Sequence, residues 1–460
     1  MKAIPRPRLP SWRPTSLGFV SDLVERVREV LPSVRRDLEA LVRIESVGAD
    51  PARRDQVQRS AQATADLLSQ AGFDDVQIVS EDGAPAVIAR HPAPPGAPTV
   101  LLYAHHDVQP EGDLVQWTSP PFEPTERDGR LYGRGSADDK AGIATHLAAF
   151  RAHGGQPPVG VTVFVEGEEE IGSPSLGRLL AAHGDVLAAD VIVIADSDNW
   201  TTEVPALTVS LRGVADCVVE VATVAQGLHS GLWGGVVPDA LMVLVRLLAS
   251  LHDDDGNVAV ARLHESTFAA VDYPADRVRA ESGLLDGVSE IGSGSVPQRL
   301  WAKPAITVIG IDSTSIAESS NTLIPRARAK VSMRVAPGGD AVAHLDALRT
   351  HLEHHAPWGA HVTVTPGDIG EPYVIDASGP VYDAARAAFR QAWGTEPIDM
   401  GIGGSIPFIA EFAAAFPKAA ILVTGVEDPA TQAHSINESL DLGVLERAAM
   451  AEALLLANLA

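Results

Sequence analysis

A chain of 460 residues with 45% hydrophobic side chains can bury a large core and exceeds the size at which single cores usually divide, so two domains are expected. No run of about twenty apolar residues occurs, which excludes a membrane-spanning helix, and a formal net charge of −25 with no basic stripe argues against a nucleic-acid or anionic-membrane partner. The single cysteine, Cys217, excludes an intrachain disulfide and a zinc site built from several thiolates, so any metal must rely on His, Asp or Glu.

Residues 1–16 carry Pro5, Pro7, Pro10 and Pro14 among Lys2, Arg6, Arg8 and Arg13, with no apolar segment that would make them a signal peptide. They are expected to form a disordered arm, and the protein is expected to be cytoplasmic. Between residues 17 and 44 apolar side chains recur at helical spacing (Val20, Leu23, Val24, Val27, Leu31, Val34, Leu38, Leu41), and Pro32 predicts two helices or one broken helix. Residues 56–72 predict another helix, ending at Gly72. Short apolar runs at 99–103, 159–165 and 191–195 then alternate with helical stretches at 141–153 and 174–183, the pattern of a mainly parallel α/β sheet covered by helices. Near Leu211 the pattern changes to strand 215–223, helix 238–251, an irregular polar stretch, strands 305–311 and 326–335, helix 341–355 and strand 361–364. That is a compact α+β unit of ferredoxin-like type. Residues 374–393 read as a helix, 419–424 as a buried strand and 442–460 as a closing helix. The expected organisation is a domain formed by 17–210 and 370–460, interrupted by an inserted domain at 211–369.

Four of the apolar runs end in polar clusters. They lead into His105-His106-Asp107, Glu168-Glu169-Glu170, Asp196-Ser197-Asp198 and the loop that holds His434. In an open α/β sheet, ligands bind beyond the carboxyl ends of the strands, so these acids and histidines should converge at one edge. Gathered carboxylates repel one another unless cations intervene. His with Asp and Glu oxygens suits zinc or manganese, and two ions about 3.5–4 Å apart can share one carboxylate. Any one cluster alone reads as ordinary solvated loop acids; all four together read as a metal centre. The segment from Leu131 to Lys140, with Gly133 and Gly135, lacks the ending of a phosphate loop and delivers Asp138 to a helix start, where capping is the alternative role for Asp138 or Asp139.

The motifs His105-x-Asp107, Gly133-Arg134-Gly135-x-x-Asp138-x-Lys140, Glu169-Glu170-Ile171-Gly172-Ser173, Ser197-Asp198-Asn199, His229-Ser230-Gly231, Gly403-Gly404-Ser405-Ile406-Pro407 and Ala433-His434-Ser435-x-Asn437-Glu438 occur in this order. Together they resemble the di-zinc metallopeptidase family of carnosinase, cytosolic non-specific dipeptidase, glutamate carboxypeptidase, aminoacylase and succinyl-diaminopimelate desuccinylase, and are most similar to the dipeptidase branch. One departure is Ala141, where the family motif has glycine after the lysine.

The resemblance implies two divalent ions per subunit, zinc or else manganese, with Asp138 shared between them. His105 and Asp198 would complete one site, Glu170 and His434 the other; Asp196 competes with Asp198, and the Ser-Asp-Asn match selects Asp198. Asp107 would orient His105, and Glu169 would act as general base towards a metal-bridging water. His229 would polarise the scissile carbonyl, reaching across a homodimer formed through the inserted lid or dimerisation domain. Arg334 would bind the free carboxylate of a small peptide substrate, and Thr322 and Ser405 would contact that substrate. The implied activity is hydrolysis of dipeptides or short peptides. An N-acyl or N-carbamoyl amino acid amidohydrolase is the alternative, and a non-catalytic binding protein is disfavoured because every matched position holds a competent residue.

Overall fold

The computed structural model describes residues 17–269, 271–404 and 407–460, and the expected arm at 1–16 lies outside them. The described residues divide into two compact units, one within Met1–Val209, Asp376–Met400 and Glu411–Ala460, the other formed by Ser210–Ile375 and Gly401–Ala410.

The sheet of the first unit runs in the order Asp75–Val79, Ala86–His91, Gly160–Glu166, Thr99–His105, Val191–Ile194, Ala420–Val423, Ala206–Leu211. Its four central strands, from Gly160–Glu166 to Ala420–Val423, are parallel, and the flanking strands are antiparallel. The parallel character expected from the sequence therefore belongs to the centre. These strands are buried along almost their whole length, which is why they read as continuous apolar runs rather than alternating ones.

Helix Leu17–Val42 is continuous through Pro32, contrary to the expected break. Val27, Val34, Leu38 and Leu41 form one buried stripe that crosses the proline, and each fully buried side chain of this type stabilises by about 1.5–3 kcal/mol. Beside the proline, the Ser33 hydroxyl donates to the Val30 carbonyl at 2.7 Å. This helix packs on Lys140–Ala152 and Leu442–Asn458, and the latter also packs on Pro380–Trp393. The helix expected from residue 374 begins only at Pro380, because Gly379 takes a conformation (φ 92°) outside the helical region, and Tyr373–Val374 is a short strand.

The second unit is a four-stranded antiparallel sheet in the order Ala305–Asp312, Arg326–Val335, Gly213–Ala222, His361–Gly370. Helices Ala240–Ala249 and Ala341–His354 lie between strands in sequence, giving the βαββαβ order. Along Arg326–Val335 every second residue is buried: Ala327, Ala329, Val331, Met333 and Val335 join a core with Val243, Leu244, Leu247, Leu348 and Leu352. Arg334 consequently lies on the sheet's opposite face. The stretch read as irregular contains the helix Ala275–Ser282 and a π-helical turn, Gln298–Ala302.

Candidate metal centre

The parallel strands all end at the same edge, and the polar clusters follow from that. His105 is the last residue of Thr99–His105, fully buried, with its backbone N–H donating to Asp139 Oδ2 at 3.1 Å. Asp139 also caps helix Lys140–Ala152 by accepting from the Gly142 N–H, so the capping role falls to Asp139 and leaves Asp138 to face the site. Asp138 divides its carboxylate between two histidines. Oδ1 lies 3.1 Å from His105 Nε2, and Oδ2 lies 2.9 Å from His434 Nε2. His434 Nε2 is also 3.1 Å from Glu170 Oε2.

Two sets of potential ligand atoms therefore meet, each with its three atoms within 4.8 Å of one another: His105, Asp138 and Asp196, and Asp138, Glu170 and His434. The expected ligand Asp198 is in neither set, and Asp196 is in the first. Asp196 follows the end of strand Val191–Ile194 closely, whereas the chain from Ser197 is drawn towards residues 425–427. There Asp198 forms a β-bridge with Glu427, and Asn199 donates its backbone N–H to the Glu427 carbonyl at 2.8 Å and its side-chain Nδ2 to the Gly425 carbonyl at 3.0 Å. A Cβ at Gly425 would fall 1.9 Å from the Ser197 carbonyl oxygen, so only glycine permits this approach.

The surroundings fix the potential ligands in place. Asp107 accepts the backbone N–H groups of Glu169 and Glu170, each at 3.2 Å, thereby anchoring the turn Glu169–Ile171. Its own backbone carbonyl, 3.0 Å away, is the nearer partner of His105 Nδ1, and its carboxylate stands at 3.5 Å. The role expected for Asp107 thus widens from orienting one histidine to shaping the whole turn. Gln109 holds Glu170 through its backbone N–H to Oε1 at 3.0 Å and its side-chain Nε2 to Oε2 at 2.8 Å. Glu438, fully buried, accepts from the N–H groups of Gly135, Ala137 and Asp138 and from Arg134 Nη1 at 2.7 Å. Lys140 Nζ donates to the carbonyls of Leu41 and Ile44, which ties the end of the first helix to the same turn. Gln109 was missed in the sequence, and Glu438, Arg134 and Lys140 were seen there only as motif letters. Nothing in a linear pattern reveals contacts across some three hundred residues, such as those from Glu438 to Asp138.

The charges of the cluster suit bound cations. Burial, reinforced by Asp138 and Glu170 against the pull of His105, pushes Asp196 up to about 7. Burial and the neighbouring Asp196, Glu170 and Asp138 likewise hold Glu169 well above the ordinary carboxylate range, despite His105. The Asp138 and Glu170 carboxylates push His434 up to about 11. A cation placed among these oxygens and imidazoles relieves the carboxylate repulsion and leaves the histidines as neutral ligands, so the donor set fits divalent metal chemistry. His106 is in neither set, and its Nε2 sits 2.8 Å from the Pro85 carbonyl.

In the second unit, His229 stands opposite Thr322 in the short ladder of Leu228–His229 with Thr322–Leu323, and both are exposed. His229 Nδ1 accepts the Gly231 N–H at 3.0 Å, which in the neutral ring leaves the proton on Nε2 as an outward donor. Arg334 is partly buried near the end of its strand. Ser405 lies outside the described residues.

Parallel strands delivering histidines and carboxylates around a shared aspartate define a metal-dependent hydrolase. Residues 101–458 match the profile of Peptidase family M20/M25/M40, and the chain belongs to that family. Among its relatives are the cysteinylglycine-S-conjugate dipeptidase of Corynebacterium striatum, 35% identical over 425 residues (91% of this chain, 93% of the relative), and the human Beta-Ala-His dipeptidase, 30% identical over 436 residues (86% and 84%). Human carnosine dipeptidase 1 has a similar solved structure, with a TM-score of 0.80 at 26% identity covering 97% of this chain and all of that one.

Proposed function

We propose that the chain hydrolyses dipeptides with a free C-terminal carboxylate, using two divalent cations, zinc in preference to manganese. The observation that carries this reading is Asp138, whose two oxygens face separate His-containing clusters. His105 and Asp138 would hold one ion together with Asp198, the expected ligand, or its neighbour Asp196, and Asp138, Glu170 and His434 would hold the other. Once bound, the ions supply Lewis acidity and lower the pKa of water. Glu169, with Oε2 3.9 Å from His105 Nε2, takes the proton of the attacking water and returns it to the leaving amine. His229 Nε2–H donates to the oxyanion, Arg334 pairs with the substrate carboxylate, and Thr322 and Ser405 contact the substrate. The names of the relatives, dipeptidases of cysteinylglycine conjugates and of Beta-Ala-His, support the choice of substrate class.

The same reading takes the working enzyme as a cytoplasmic homodimer associated through the second unit, a lid and dimerisation domain, where Leu232, Trp233, Val236 and Met242 are exposed. A panel of dipeptides set against N-acetyl, N-succinyl and N-carbamoyl amino acids tests the substrate class. Turnover confined to the acylated compounds would overturn it. Glu169→Gln should lose at least about 100-fold in kcat while metal content stays unchanged, and light scattering should give twice the chain mass.

A further inference from the structure

Arg212 stands out in the second unit as a buried charge with no counter-charge. Its side chain is within a residue only 8% exposed, and among the described residues no carboxylate lies within salt-bridge distance. It is held by neutral groups alone: Nε donates to the Gly403 carbonyl at 3.0 Å, Nη1 to the Lys303 carbonyl at 3.4 Å, and the backbone N–H to the Ile402 carbonyl at 3.2 Å. Nη2 makes no hydrogen bond among the described residues, and a Cβ at Gly403 would lie 2.8 Å from it, so the loop passes close over the guanidinium.

The nearby charge is another cation. Strand pairing sets Arg334 opposite Val214, two residues beyond Arg212. Burial, together with the positive charge of Arg334, brings Arg212 down to about 10. A desolvated guanidinium beside a second one, with donors left over, is the electrostatic complement of an anion, and guanidinium forks match carboxylates.

We propose that Arg212 is a second carboxylate-reading residue beside Arg334, so that the free carboxylate of the substrate's C-terminal residue is met by two guanidiniums. The inference rests on the reading of Arg334 given above. Arg212 also pins the Gly403 loop, so the test must separate charge recognition from scaffolding. Alanyl-alanine and alanyl-alanine amide are compared in the metal-loaded protein. Wild type should prefer the free acid; equal use of both would sink the Arg334 reading itself, before any variant is made. Arg212→Met should raise KM for the free acid at least tenfold, with kcat within threefold and the weak turnover of the amide unchanged. A parallel fall on both substrates would overturn the proposal and leave Arg212 a loop anchor. If Arg212→Met does not fold, Arg212→Lys carries the same comparison. Loss of the fork should then raise KM for the free acid at least threefold with the amide unaffected, and equal losses would again refute it.

Discussion

Asp196 and Asp198 are two residues apart, both acidic, and both follow the same strand, yet only Asp196 enters a potential ligand set. The distinction gives a direct prediction. Asp196→Asn should lower kcat/KM by more than about 100-fold and reduce bound metal measured by elemental analysis, whereas Asp198→Asn should keep its metal and stay within about tenfold of wild type. The converse result would restore Asp198 as the ligand. His105, Asp138, Glu170 and His434 were proposed from motifs and from the ends of apolar runs, and the structure brings their side chains together. The choice between Asp196 and Asp198 depends on how the chain leaves the strand, and that is set by residues 425–427, more than two hundred positions away. Gln109 and Arg212 were invisible for the same reason, since their partners are distant in sequence.

At the scale of elements, the site depends on ties between segments that are remote in the chain. Glu438 joins the His434 loop to the Gly135–Asp138 turn and compensates the buried Arg134. Glu438→Gln removes the charge and leaves Arg134 uncompensated, so urea denaturation should show a loss of about 3 kcal/mol. A second tie links the strand Thr99–His105 to the closing helix: His146 Nδ1 is 2.9 Å from Glu452, and its Nε2 is 3.0 Å from the Tyr103 carbonyl. Burial alone would lower the His146 pKa, but Glu452 outweighs it and the net direction is upward. Because the folded value exceeds the unfolded one, the stabilisation is fully present below about 6.5 and is lost as pH rises through the raised value. His146→Gln should flatten the alkaline side of the stability curve over that window, and an unchanged curve would contradict the pairing. Helix and strand types were largely readable from periodicity. Boundaries were not, as at Pro32 and at residues 374–380, where tertiary burial and a glycine conformation override local signals.

For the whole molecule, metal binding and folding should be coupled, because the clustered carboxylates of the first unit repel one another until cations sit among them. Stripping with a chelator should lower the unfolding temperature, and zinc at 100 times its Kd should return about 2.7 kcal/mol. An unfolding temperature indifferent to chelation would argue against a structural contribution from the ions. The sequence pattern changes near Leu211 and reverts after residue 370, whereas the units divide at Val209, Ile375, Met400 and Ala410, and the 401–410 segment of the second unit carries no sequence signal.

The parallel pairing of Val191–Ile194 with Ala420–Val423 has a further consequence, for the birth of the protein. The two strands are neighbours in the sheet, yet the whole of Ser210–Ile375 is translated between them. At roughly 5–20 residues per second, the ribosome leaves the apolar edge of Val191–Ile194 waiting for tens of seconds before its partner emerges. The whole of the second unit, its 401–410 segment included, is translated during that interval. That apolar edge is therefore exposed in the nascent first unit for the whole interval, and the candidate metal centre, whose second set of potential ligands includes His434 from beyond the late strand, can assemble only after that wait has ended.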